Sequence, residues 1–297
     1  MTRPLLLASS AFCAAAAIGS GCFAPQPAPP CQVVSTQGFN GNPPYLALLT
    51  STSATGACTE AQRLRVMRVG AQSYVPPGTG AGALALRPGR LSDLVSGVVF
   101  KADVDAGNNC QAGFEGKASP GCATCSASGA NPCRVVEDPI VRVDPSDPER
   151  LKLNAVGAFP REPTDGRCGV SAPMLAEQAL PALTVDVIDG GPTTFPALRA
   201  AFEFSQVQVL ATAEVPGTAF TATLTQTEGA CVASYDVVAF YPAVACTRDV
   251  DCAPVADLDA GHPKGSGIDP AFAPTCDTAL GVCVPGVDVT RPGLPKR

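Results

Sequence analysis

Residues 219–240 read AFTATLTQTEGACVASYDVVAF. Two segments that favour extended backbone, Ala219 to Thr227 and Cys231 to Phe240, flank Glu228-Gly229-Ala230. Threonine-rich alternation, a short glycine loop and a tyrosine-bearing return strand predict a β-hairpin. The threonines of the first strand fall on one side, as a solvated sheet face requires. Upstream, Phe202 and Phe204 share a strand face, and the apolar phase then moves to Val207 and Val209. A one-residue slip of that kind predicts a β-bulge.

Outward from this hairpin the chain stays β-rich. Strands are expected at 182–188, 44–50, 64–69, 94–104, 135–143 and 151–156, separated by Pro/Gly turns. Long amphipathic helices are missing, and short ones are expected only at 92–95 and 173–179. The reading is mainly β. It predicts a β-sandwich-like body, one sandwich or two packed lobes, over residues 31–245.

The 297 residues include 29 glycines and 30 prolines, but only 15% are charged and mean hydropathy is positive, so a core can form. Tryptophan is absent and net charge is −6. No basic cluster interleaved with aromatics occurs, which leaves nucleic-acid binding without an electrostatic basis.

Fourteen cysteines set the compartment. In that number they stabilise a chain outside the reducing cytosol. Cys122-Ala-Thr-Cys125 has a metal-knuckle or redox spacing, yet it sits in a Gly/Ser/Asn-rich loop with no second CxxC. Ser126 also stands where a haem site needs histidine. Structural disulfides are therefore expected at Cys31, Cys58, Cys110, Cys122, Cys125, Cys133, Cys168, Cys231, Cys246, Cys252, Cys276 and Cys283. Residues 246–285 form a four-cysteine module too small to fold without bridges. Its cysteines are expected to close among themselves, and Cys31 to pair with Cys58 across a short loop. Residues 286–297 read as a tail.

Residues 1–21 carry Arg3, then an apolar run to Ile18, then Gly19-Ser20-Gly21. This is an export signal, too short to span a bilayer. Ile18-Gly19-Ser20-Gly21-Cys22 resembles the lipobox of bacterial lipoproteins, which implies that Cys22 is acylated and becomes the N-terminus. Ordinary cleavage at Gly19-x-Gly21 is the alternative. Residues 23–30 (FAPQPAPP) read as an extended tether from the lipid anchor. Losing Cys13 with the leader and acylating Cys22 leaves an even number of cysteines.

The run CVASYDVVAFYPAVACTRDVDC, followed by TCDTALGVCVPG, resembles the C-terminal half of secreted lipoproteins of myxobacteria and related bacteria. The likeness covers residues 231–286 and agrees with the leader. It implies an envelope location and carries no information on activity.

Enzyme signatures are absent: no GxSxG, no HExxH and no phosphate loop. The single histidine, His262, leaves a nucleophile without an obvious base. Glu137-Asp138 and Asp147/Glu149 flank prolines in turns, so a hydrolase built on a carboxylate pair ranks last. Asp103, Asp105, Asp257 and Asp259 sit in two Asp-x-Asp-Ala-Gly turns that gather oxygens as calcium loops do, without completing an EF-hand. They are weak calcium candidates, and no cofactor is expected.

The sequence thus predicts a non-enzymatic, lipid-anchored interaction module on the outer membrane or cell surface, whose partner is an envelope protein or surface polymer. The alternative is a carbohydrate- or polymer-binding module using Tyr45, Tyr74, Tyr235 and Tyr241.

Overall fold

The computed structural model describes residues 29–36, 42–78, 81–102, 135–142, 152–187, 191–259 and 264–289. Cys22, Cys110, Cys122, Cys125, Cys133, Asp103, Asp105, Asp147, Glu149 and His262 lie outside the described residues.

Nine antiparallel strands form one sheet. They are β1 (Tyr45–Thr55), β2 (Val66–Tyr74), β3 (Gly82–Pro88), β6 (Ala155–Phe159), β7 (Arg167–Gly169), β8 (Met174–Leu180), β11 (Leu198–Ala211), β12 (Pro216–Glu228) and β13 (Cys231–Phe240). Their order is β6-β3-β2-β1-β13-β12-β11-β7, and β8 also pairs with β11. Two two-stranded sheets are separate from it: β4 (Ser96–Ala102) with β5 (Val135–Val141), and β9 (Leu183–Val187) with β10 (Gly191–Phe195).

β12 and β13 are the predicted hairpin, paired from Ala219–Phe240 to Glu228–Cys231. Ala222, Leu224, Gln226 and Glu228 point inward and are buried, whereas the alternating threonines are half-buried. The predicted bulge falls between Ser205 and Gln208, with Gln206 at φ 52°. Opposite it, β7 and β8 lie end to end along the same edge of β11, interrupted at residues 170–173.

The sheet curls until β6 lies against β8. Side chains from both halves fill one core, with Tyr45, Tyr235, Phe202, Phe204, Phe220, Leu84, Leu86 and Met174 fully buried. Burial of each such side chain contributes about 1.5–3 kcal/mol. The helix α1 (Gly89–Val95) closes one end and buries Leu91 and Val95.

Residues 173–179 were expected to be helical, and they form β8 instead. Their composition (Met, Leu, Ala, Glu, Gln) favours helix. Pairing with β11 overrides that propensity and buries Met174, Ala176, Gln178 and Leu180 in alternation. β3 carries no sequence expectation, because GALALRP is built from residues with weak β-preference.

The disulfides correct the expected Cys31–Cys58 pair. Cys31 bonds to Cys168 and Cys58 to Cys231, at Cα separations of 5.7 and 4.7 Å. Closing loops of 137 and 173 residues costs only about 1–2 kcal/mol more in chain entropy than the short loop. Sheet topology readily outweighs that difference.

The C-terminal cysteines pair among themselves, Cys246–Cys276 and Cys252–Cys283, around the hairpin β14 (Pro274–Asp277) and β15 (Val282–Pro285). The module's core is shared with the outer face of the sheet. Phe272, Ile268, Cys252 and Cys283 pack with Leu46, Leu210, Ala219 and Phe240. The Phe240 and Phe272 rings meet edge-on at 6.2 Å.

Candidate functional site

Two ends and one lateral groove hold the chemistry. At the first end, residues 31–36 run across the mouth of the curled sheet. Cys31 donates its amide to Arg161 O (2.9 Å) and is bonded to Cys168. Val34 N donates to Tyr45 Oη (2.9 Å), and Tyr45 Oη donates to Gly217 O (2.5 Å). Burial pushes the Tyr45 hydroxyl far above the ordinary phenol range, against the opposing hydrogen bond from Val34. Thr36 is tied to Ala71 through its amide and its hydroxyl. Gly217, at φ 76°, is required here: a Cβ would stand 2.1 Å from Gln32 O. The segment that follows the predicted tether is therefore held by one covalent and several hydrogen bonds.

At the opposite end, Glu228 is 2% exposed and receives Arg90 in a two-pronged pair, Nε–Oε1 2.9 Å and Nη2–Oε2 3.0 Å. Gln226 Nε2 donates to Glu228 Oε1 (2.7 Å), and Gln62 Nε2 donates to Glu228 O (3.2 Å). The hydrogen bond to Glu228 raises the Arg90 pKa further. This network ties α1, the 59–62 turn and β12 together, and Cys58–Cys231 staples the same end. The carboxylate is saturated by its partners, so the arrangement is that of a structural lock. The inward phase of β12 was legible, and two polar residues on it, Gln226 and Glu228, were the available signal for this lock.

Along the outer face, cavities of about 340 and 390 Å³ adjoin. Both include Arg68 and Gly89. One continues to Asn42 and Arg87, the other to Arg90, Asp93 and Val282 of the module. Burial raises the Asp93 carboxyl pKa, against the attraction of Arg90 and Arg68.

The structure does not bring the four tyrosines together on a surface. Tyr45 and Tyr235 are buried, Tyr241 packs on Tyr45 at 5.5 Å, and Tyr74 alone is exposed. Asp257 and Asp259 lie on an exposed loop. The sulfurs of Cys246, Cys252 and Cys276 lie within 4.8 Å of one another, but all three are in disulfides and supply no thiolate.

The MlpA family model matches residues 45–242, which is the sheet from β1 to the residue pair after β13. A Myxococcus xanthus protein named "Putative lipoprotein MlpA" is 26% identical over 296 residues, covering 97% of this chain and 98% of that protein. No solved structure matches.

Proposed function

The chain belongs to the MlpA family, and from that premise we propose that it is a non-enzymatic, lipid-anchored interaction module of the cell envelope, held at the outer membrane through Cys22. The observation that carries this reading is the covalent joint at Cys31. Cys22 lies nine residues upstream in the sequence. A proline-rich segment of that length reaches about 28 Å when extended. Load on the lipid would pass through Cys31–Cys168 directly into the sheet, which suits a permanent anchor better than a disposable leader. The relative's name, a lipoprotein, supports the same reading.

Among the described residues buried side chains pack one core, and the one deeply buried carboxylate, Glu228, is locked to Arg90. That arrangement favours binding over catalysis. The end that carries α1 and the Glu228 lock would then face away from the bilayer, since the tether enters at the other end.

Labelling cells with radioactive palmitate tests the anchor. Label on the wild-type protein and none on Cys22→Ala, with loss of detergent-phase partitioning, is expected. Label that persists in Cys22→Ala contradicts the proposal.

A second reading, a polymer-binding module, is favoured by the lateral groove. Its arginines call for a negatively charged ligand in place of a sugar stacked on tyrosine.

A further inference from the structure

We propose that the strip running from Asn42 past Arg68 to Val282 binds a segment of an extended polyanion, an acidic polymer that bears carboxylate or phosphate groups. This deepens the polymer-binding reading and rests on it.

The two cavities share Arg68 and Gly89 in their walls, so Arg68 borders both. Two adjoining cavities bordered by one arginine suit an extended chain that spans both. The second cavity reaches Val282 of the disulfide module, so that end of the strip lies where module and body meet, a frequent position for ligand sites.

The charge is local and opposite to that of the chain. Net charge is −6, yet Arg68, Arg87 and Arg90 converge on the strip, and among the described lining residues Asp93 is the one acid. Arg90 is neutralised by Glu228. Arg87 donates from Nε to Ser92 Oγ at 3.0 Å, which fixes its plane.

Arg68 is different. It is exposed, and among the described residues its guanidinium makes no hydrogen bond or ion pair; Asp93 acts on it only through the field. An arginine fork is shaped for the paired oxygens of carboxylate or phosphate.

The floor beneath it is backbone. Gly89 has no room for a side chain, because a Cβ would come 2.7 Å from Arg68 O. At Gly70 a Cβ would come 3.4 Å from Arg87 Cβ and 3.5 Å from Thr36 Oγ1, narrowing the path.

The test uses full-length protein in detergent and three fluorescent probes: polyglutamate, polyphosphate and neutral dextran. Binding of polyglutamate or polyphosphate that weakens with salt is expected, and whichever is tighter identifies the anionic group. Arg68→Gln should weaken it by about tenfold or more, Arg68→Lys by less, because a charge-assisted fork is lost in one and a point charge kept in the other. Asp93→Asn should strengthen it. Salt-insensitive binding to dextran, unchanged in Arg68→Gln, would overturn the polyanion site while keeping a polymer-binding module. Failure of all three probes would overturn both. Anion binding that is indifferent to Arg68→Gln would also overturn the site.

Discussion

Gly157 on β6 and Met174 on β8 stand so close that a Cβ on Gly157 would lie 2.7 Å from both Cγ and Sδ of Met174, and equally close to Val170 Cγ1. No ladder joins these two strands. The seam where the sheet meets itself is therefore made by side-chain packing against a bare backbone, and it depends on that glycine.

Gly157→Ala should destabilise the fold by about 1–3 kcal/mol, the usual penalty of overpacking. Met174 is flexible, and trimming it removes two of the three closest contacts and leaves that with Val170. The pair Gly157→Ala with Met174→Ala should then cost less than the sum of the single changes when unfolding is followed in denaturant. Strict additivity would mean that the two residues do not meet.

Arg90→Ala should cost about 2–3 kcal/mol, because it strands a buried carboxylate and loosens α1. Glu228→Gln should cost less, since Arg90 retains access to water and Gln226 keeps an amide oxygen to meet. Urea titrations of the two variants decide this, and equal effects would contradict a lock centred on Glu228.

Asp93 supplies a pH dependence. Partial desolvation of this exposed residue raises its carboxyl pKa in the folded protein above the usual 3.8. A raised carboxyl pKa means that the folded state binds the proton more tightly, so the charged form weakens folding as pH rises through that range. Asp93→Asn should therefore be more stable than wild type at pH 7, with the gain shrinking as pH falls towards 4. A gain that persists unchanged at low pH would show another cause.

The disulfide module should not unfold separately. Phe272 is fully buried against Phe240, at the contact between module and sheet. Phe272→Ala is expected to cost about 3–5 kcal/mol and to lower one common transition. Two separated transitions in calorimetry would mean that the module has a core of its own.

Much of this architecture was legible locally. The 219–240 hairpin and the 204–207 slip follow from period-two alternation, and the closure of Cys246, Cys252, Cys276 and Cys283 follows from their isolation at one end of the chain. What escaped was non-local. Residues 173–179 look helical until β11 is beside them, and Cys31 meets Cys168 only across the curled sheet. Arg68, Arg87 and Arg90 are scattered basic residues in the sequence. Strand register and the turn into α1 make them neighbours. Tyr45 and Tyr235 read as surface candidates because a tyrosine's polar tip can be satisfied inside a core as well as in water.

The anchor at Cys22 is the claim on which the functional account stands, and mass spectrometry of the N-terminal peptide from membrane-extracted protein tests it most directly. The account predicts a mature chain that begins at Cys22 and carries a diacylglyceryl group on its sulfur. A mature chain that begins elsewhere, or one that begins at Cys22 with no lipid, would contradict it.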